Sequence, residues 1–147
     1  MNKEKLKETY ATHKVGNLEM NVYVPYCAIP YHWHDELEMI YVTHGQCKCI
    51  INGETITVNE NDALLVQGGE LHTVVLDTAS KCYAIVFHPH LCGSDCIKFF
   101  SGDINFKRIF SHKNACEKKI LTNISSIYEA FCKKNYAYEL LEMHYKD

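Results

Sequence analysis

The strongest constraint on how this chain can fold is a series of short strand-like runs, each followed by residues that favour a turn. The runs lie at 20–24, 37–42, 47–51, 54–58, 63–66, 73–76 and 82–87. Asn52-Gly53 stands between two of them and tolerates positive φ, which predicts a type I′ hairpin. Strands repeated roughly every 8 to 12 residues, with no helical run between them, predict an antiparallel β-barrel or sandwich.

The pattern becomes helical after residue 102. Apolar residues then recur at the spacing of one helix face, with charged residues between them. These apolar residues are Ile120, Ile124, Ile127, Tyr128 and Phe131. A second helical stretch at 136–145 reaches the last residue without a capping glycine, so we expect the natural protein to continue further. The chain therefore divides into an arm at 1–17, a barrel at 18–92 and a helical tail at 93–147.

Four residues of metal-binding type stand out in the β-rich part of the chain. They are His32, His34, Glu38 and His72. Alternate side chains of a strand point to one face, so the first three share a surface if the segment 32–38 stays extended. Three nitrogen donors and one carboxylate suit a divalent ion, and we predict Zn, Ni, Mn or Fe with coordination positions left open. In the alternative interpretation the histidines contact an organic effector or are packed polar groups.

The same alternation predicts which neighbouring residues form a pocket. Ile40 and Val42 share the parity of the histidines, so we expect them to form the apolar floor of an effector pocket. The segment 18–26 is a candidate covering arm for that pocket. Trp33 and Tyr41 have the opposite parity and are expected to face the exterior or an opposing layer.

Charge and composition exclude several classes of protein. The net charge is −3, Arg108 is the sole arginine, and residues 35–77 hold eight acidic side chains against the single Lys48. DNA-binding surfaces rely on arginine, so this chain is a poor candidate for contacting nucleic acid itself. No stretch reaches the ~20 apolar residues of a membrane span, and the first residues lack the apolar core of a secretory signal. We therefore expect a cytoplasmic protein with reduced cysteines.

The spacing of the four residues resembles the two motifs of the cupin superfamily. The first motif, His-x-His-x3-Glu-x6-Gly, matches from His32 to Gly45, although Tyr26 stands where cupins have a leading glycine. The second motif keeps Gly69 and His72, but three of its other positions differ. The replacing residues are Asn61, Gln67 and Leu76. The resemblance implies a mostly β fold, a cupin-type antiparallel β-barrel or jelly roll, which a C-terminal pair of α-helices would follow.

The run around the first two histidines carries a narrower resemblance. Residues 29–42 read Ile-Pro-Tyr-His-Trp-His-Asp-Glu-Leu-Glu-Met-Ile-Tyr-Val and resemble the N-terminal effector-binding domain of AraC-type transcription regulators. This implies a domain that binds a small effector, forms a homodimer through its C-terminal helices and precedes a helix-turn-helix DNA-binding portion that is absent here. The residues expected at the dimer contact are Ile120, Ile124, Ile127 and Phe131.

Two functions compete at this point. The first is a regulatory sensor, in which effector binding in the barrel is transmitted through the helical tail. The second is a small cupin metalloenzyme, dioxygenase-like or isomerase-like, because a metal with open positions can polarise a bound substrate. Spacing singles out no separate acid or base, so we predict no catalytic residue and prefer the sensor.

Overall fold

The computed structural model describes residues 3–7, 13–15, 18–25, 28–88 and 107–132, which form ten β-strands, one α-helix and a 3₁₀ turn. The elements are β1 (His13–Val15), β2 (Leu18–Tyr23), β3 (Ile29–His32), β4 (Leu37–His44), β5 (Gln46–Ile51), β6 (Glu54–Asn59), β7 (Ala63–Val66), β8 (His72–Leu76), β9 (Lys81–Phe87), β10 (Ile109–Phe110) and the helix α1 (Ala115–Cys132). Within these ranges, no helix is long and apolar enough to cross a bilayer.

The strands form two antiparallel sheets that face each other. One sheet has the order β1-β2-β9-β4-β7-β10 and the other has the order β3-β8-β5-β6. Side chains from both sheets meet in one apolar cluster, which includes Ile40, Val42, Cys49 and Val74, each at most 1% exposed. The mostly β, antiparallel cupin-type fold that the sequence predicts is therefore confirmed.

Each of the seven runs predicted to be a strand coincides with a strand of the two sheets, although the run 20–24 extends one residue beyond the end of β2 at Tyr23. The hairpin between β5 and β6 is also confirmed, because Ile51 pairs with Glu54 across Asn52 and Gly53. Both turn residues have positive φ, 50° and 86°, as a type I′ turn requires. The sequence analysis missed β1, β3 and β10. Two of these have three residues or fewer, and β3 contains Pro30, which cannot donate a ladder hydrogen bond.

The chain bends at Asp35 and Glu36, between the two sheets. β3 pairs with β8 in the smaller sheet, whereas β4 pairs with β7 and β9 in the larger one. The condition that 32–38 stays extended, on which the shared face of the three residues depended, is therefore not met. The carbonyl of His34 accepts a hydrogen bond from the Gly69 N–H, at 2.8 Å, instead of continuing a strand ladder. The bend brings Glu38 back toward the histidines that precede it.

The larger sheet is buried on both of its faces. Its outer face carries a second apolar cluster, in which Met39 and Leu65 of the sheet pack with Leu121 and Ile124 of α1. The side chains of β4 therefore alternate between the barrel interior and the helix, as Ile40 and Met39 illustrate. This explains why β4 reads as a nearly continuous apolar run.

Rings of Tyr41, Tyr83 and Tyr128 stack in sequence at the border of the helix. Their centroids are 5.1 Å apart for the first pair and 3.8 Å apart for the second. Tyr41 therefore faces an opposing layer, as its strand parity predicts. The stack joins β4 and β9 to α1.

The helix α1 contains the residues predicted for the dimer contact, but their side chains differ in exposure. Ile124 is only 6% exposed and belongs to the core of its own chain, so its assignment to a subunit contact needs correction. Ile120 and Ile127 are 41% and 38% exposed. Phe131 lies in α1, and its side chain is outside the described residues, as is the second predicted helix at 136–145.

Candidate metal centre

Three strands and one bend bring the four residues of metal-binding type close together. We call His32, His34, Glu38 and His72 the His-Glu cluster. His32 is the last residue of β3, and His34 precedes the bend. Glu38 lies in β4, and His72 is the first residue of β8. Their potential donor atoms all lie within 4.8 Å of one another, and all four residues are buried. The structure thus brings together every residue that the motif spacing singled out.

One carboxylate oxygen lies at the centre of the cluster. Glu38 Oε2 is 2.9 Å from His34 Nε2 and 3.0 Å from His72 Nε2. The ring of His32 lies beside both other rings, with centroids 4.2 Å from that of His72 and 5.5 Å from that of His34. Glu38 has no exposed surface at all. The cluster is therefore a compact, dry group of polar atoms inside an apolar barrel.

The other nitrogen of each imidazole is bound to the main chain. His32 Nδ1 lies 2.9 Å from the carbonyl oxygen of Pro30, and His34 Nδ1 lies 3.0 Å from that of Glu36. His72 Nδ1 lies 2.8 Å from the carbonyl oxygen of Glu70. A carbonyl can only accept, so each Nδ1 carries a proton. A ring that is neutral then presents the lone pair of its Nε2 to the cluster, and a ring that is protonated presents an N–H there.

Electrostatics keep the carboxylate ionised despite its burial. Burial by itself raises the pKa of Glu38, but the hydrogen bonds from His34 and His72 outweigh it and hold this pKa far below its usual range. Burial also lowers the pKa of His34, but the hydrogen bond and charge of Glu38 outweigh it and raise this pKa. The cluster thus favours a negative charge on Glu38 and a positive charge facing it.

The donor set fits a divalent cation. With each Nδ1–H committed to a carbonyl, two Nε2 lone pairs face one carboxylate oxygen, and such an arrangement needs protons or a cation between these atoms. Histidine ligands of metals commonly donate their second N–H to a carbonyl in this manner. Three imidazole nitrogens with one carboxylate are ligands that Zn, Ni, Mn and Fe accept.

A tight turn at 67–70, which we call the 67–70 turn, supports the cluster from outside. Its Gly69 N–H donates to the carbonyl of His34, and a Cβ at Gly68 would overlap the carbonyl oxygen of Asp35. The Glu70 carboxylate accepts the N–H of Gln67 at 2.9 Å. The turn therefore contacts the segment that carries His34 and lies just before His72 in the chain.

Arg108 and Glu70 are residues of this neighbourhood that the sequence analysis missed. Arg108 Nη1 and Nη2 donate to the two carboxylate oxygens of Glu70, at 2.8 and 2.7 Å. The pair is separated by 38 positions, so no spacing rule could have connected them. The available signals were the position of Glu70, two residues before His72, and the presence of a single arginine in the chain.

The residues predicted for an effector pocket have mixed outcomes. Ile40 and Val42 face the barrel interior as their parity predicts, but both are packed in the apolar cluster, at 1% and 0% exposure. Direct contact between them and an effector stays a prediction. Residues 18–23 are strand β2, paired with β9, so the idea that 18–26 forms a covering arm is wrong for this part.

A different segment lies against the His-Trp-His run. The Trp33 indole N–H donates to the carbonyl of Lys3 at 2.6 Å, and the ammonium groups of Lys3 and Lys7 lie 5.1 and 5.0 Å from the ring centroid. Lys7 also pairs with Asp35 at 2.9 Å. The first described residues of the chain therefore lie beside the strand that carries His32.

A cleft of about 390 Å³ lies at the other end of the barrel. Thr43, Ser80 and Tyr83 are among its lining residues, together with Tyr128 of α1. Thr43 is five residues beyond Glu38 in β4, which corresponds to about 16 Å along a strand. This cleft is therefore separate from the His-Glu cluster.

Comparison with known proteins matches the chain to one family of ligand-binding domains. Residues 24–99 match the family described as the AraC-like ligand binding domain. Over 64 residues the chain is 38% identical to the uncharacterized HTH-type transcriptional regulator YdeC of Bacillus subtilis (strain 168). That match covers 42% of this chain and 22% of the relative, so it spans less than a quarter of the relative's length.

Two solved structures show weaker likeness. A cupin-2 domain containing protein of Shewanella frigidimarina NCIMB 400 is 16% identical with a TM-score of 0.42, over 50% of this chain and 72% of the other. The oxalate decarboxylase of Bacillus subtilis, which has Mn(II) centres, is 22% identical with a TM-score of 0.39, over 49% of this chain and 21% of the other.

Proposed function

Because the chain belongs to the family of AraC-like ligand-binding domains, we propose that it is the sensory part of a cytoplasmic transcription regulator. The barrel binds a small effector, and further parts of the regulator contact DNA. The regulator relative, described as HTH-type, supports this assignment. So does the charge of the chain, because a barrel with net negative charge and one arginine is poorly suited to bind phosphate groups itself.

We also propose that the His-Glu cluster holds a divalent metal ion, Zn, Ni, Mn or Fe. The observation that carries this proposal is that all three Nδ1 atoms are bound to main-chain carbonyls, which directs each Nε2 lone pair into the cluster. When bound, the ion supplies positive charge and open positions for an oxygen or nitrogen atom of the effector. Glu38 offsets part of that charge, and the surrounding apolar residues exclude water from the ligands.

The experiment that tests the metal is elemental analysis of the protein purified without a histidine tag or added metal. We expect the unaltered chain to contain about one ion, as a single site of four ligands implies. The variant H34A should lose it, because one nitrogen donor is gone. The matched control is H44A, since His44 is exposed at the far end of β4. Equal metal content in H34A and H44A would contradict the proposal.

We do not propose the metalloenzyme considered from the sequence. Glu38 is engaged with two imidazoles and, among the described residues, the group of potential metal ligands contains no second carboxylate. General acid–base catalysis needs a side chain that is within reach of the substrate and not already committed. The observations at the site therefore favour a sensor.

We further propose that two subunits pair through the exposed face of α1. Ile120 and Ile127 are seven residues apart, which is about two helical turns, so they lie on the same side of the helix. Both are large apolar side chains with more than a third of their surface exposed. Pairing of these residues would bring the segments that follow α1 close together in the dimer.

A further inference from the structure

The 67–70 turn connects two ligands of the His-Glu cluster to one support. Its Gly69 N–H holds the carbonyl of His34 at 2.8 Å, and the Glu70 carbonyl accepts the Nδ1–H of His72, also at 2.8 Å. The turn therefore contacts the main chain of His34 and the imidazole of His72. A Cβ at Gly68 would overlap the Asp35 carbonyl oxygen, so the turn packs closely against the residue that follows His34.

Arg108 attaches this turn to the segment that leads into α1. Its guanidinium donates to both oxygens of Glu70, and Nη1 also donates to the Leu65 carbonyl at 3.0 Å. The backbone carbonyl of Arg108 accepts the Leu65 N–H at 2.8 Å. Arg108 and Glu70 side chains are 26% and 14% exposed, so the ion pair is only partly screened by water. A planar guanidinium fork tolerates little change in geometry.

We propose that Arg108 is a positioning residue that couples metal occupancy of the His-Glu cluster to the segment 107–114 and hence to the start of α1. This inference rests on the metal proposed above. A metal that draws His34 and His72 into one geometry fixes the 67–70 turn, and the Glu70–Arg108 pair transfers that order to β10 and the helix. Coupling of binding free energies is reciprocal, so Arg108 also raises the affinity of the cluster for the metal.

A neighbouring ion pair provides the matched control. Lys107 Nζ contacts a carboxylate oxygen of Glu117, so this residue ties the same segment to α1 without touching the 67–70 turn. K107Q removes one positive charge from the segment, as R108Q does. R108Q also removes the hydrogen bond to the Leu65 carbonyl, so a difference from K107Q reports the contact with Glu70 when E70Q reproduces it.

The experiment measures hydrogen exchange of the full 147-residue chain, with and without Zn²⁺ as the probe, in peptides that cover 107–120. Zn²⁺ should slow exchange there in the unaltered chain and in K107Q. In R108Q and E70Q the metal should still bind, about 10- to 100-fold more weakly. At saturating Zn²⁺ the slowing in 107–120 should be absent in both variants. R108K, which keeps the charge without the fork, should show an intermediate response and serves as the test if R108Q does not fold.

The outcomes separate the coupling from the metal site. Binding of Zn²⁺ without any change in 107–120 of the unaltered chain overturns the coupling alone. The same conclusion follows if R108Q and R108K respond like the unaltered chain, or if K107Q loses the response equally. Failure of the unaltered chain to bind Zn²⁺, Ni²⁺, Mn²⁺ or Fe²⁺ overturns the metal site and the coupling together. Loss of the response in R108Q and E70Q, with K107Q unaffected, supports the coupling.

Discussion

A single buried carboxylate oxygen organises the His-Glu cluster at the scale of the residue. Glu38 Oε2 meets two imidazoles, and Glu38 has no exposed surface. A charge in such a place is tolerated only when it is paired, because an unpaired buried charge is strongly destabilising. The positive partner is either a protonated imidazole or the proposed metal, so removing Glu38 changes both the fold and the site.

The buried thiols lead to a residue-scale prediction. Burial raises the pKa of Cys49 to about 12, and the adjacent Cys82 thiol together with burial raises that of Cys47. The thiolate is the reactive form, so iodoacetamide at mildly alkaline pH should modify neither Cys47 nor Cys49 in the folded chain. Cys116 is exposed and should react.

Mass spectrometry of the digested protein measures this difference. After denaturation all three thiols should be modified, which serves as the control for the reagent. Modification of Cys49 at the rate of Cys116 in the native protein would show that the barrel interior opens readily.

The sequence located the His-Glu cluster at residue level but not its supports. His32, His34 and Glu38 could be grouped because motif spacing is a local property of the chain, whereas the parity argument for Glu38 required an extended segment that the bend at Asp35 and Glu36 interrupts. Glu70 and Arg108 could not be paired, since their contact depends on how β10 returns to β7 after a long connection. Packing between distant segments decides such contacts, and local patterns do not encode it.

The 67–70 turn contacts the segment of His34 and the imidazole of His72, and a substitution at Gly68 tests its role in the His-Glu cluster. In G68A the new Cβ would overlap the Asp35 carbonyl oxygen, so the backbone must shift. We expect a loss of about 1–3 kcal/mol in the free energy of unfolding, as overpacking generally costs. Metal affinity should fall as well, because Asp35 follows His34 directly. Urea unfolding and a competition titration with a metal-binding dye measure the two effects.

The control for this prediction is G53A in the β5–β6 hairpin. Gly53 has a φ of +86° and open space around it, so alanine there adds only backbone strain, about 1–2 kcal/mol. It should lose comparable stability while keeping the metal affinity of the unaltered chain. If G53A and G68A weaken metal binding equally, general destabilisation is the cause and the turn has no special role.

The helix start provides a second prediction at the scale of the element. Asn114 Oδ1 accepts the N–H groups of Cys116 and Glu117 at 3.0 and 3.2 Å, which is the geometry of an N-cap. N114A should lower the free energy of unfolding by about 0.5–2 kcal/mol. N123A, in the exposed interior of the same helix, should leave it unchanged or slightly raised, because alanine favours helix more than asparagine does. Equal losses in thermal unfolding would argue against the cap.

At the scale of the whole molecule, the larger sheet packs against a different layer on each of its faces. Its inner face holds the barrel cluster and its outer face holds α1, so Glu38 of the His-Glu cluster and the helix contact Met39 are adjacent in β4. The amphipathic pattern of α1 correctly predicted that one helix face is buried. It could not reveal the partner of that face, and for this reason Ile124 was assigned to a second subunit instead of its own barrel.

The proposed dimer is tested by charge substitutions on α1. I120E and I127E place a carboxylate on the exposed apolar side of the helix and should shift the protein from dimer to monomer in sedimentation velocity, because a charge buried without a partner is costly. V75E is the matched control, since Val75 is 45% exposed but lies on β8. Dissociation by V75E with no effect of the helix variants would place the interface on the barrel instead.

The three carbonyls that hold the imidazoles belong to the main chain, and this has an evolutionary consequence. No side-chain substitution at Pro30, Glu36 or Glu70 can delete the acceptor that each provides, as long as the backbone keeps its path. The orientation of the histidines is therefore inherited with the fold. Side chains around the cluster can therefore change without removing the acceptors that direct the three imidazoles.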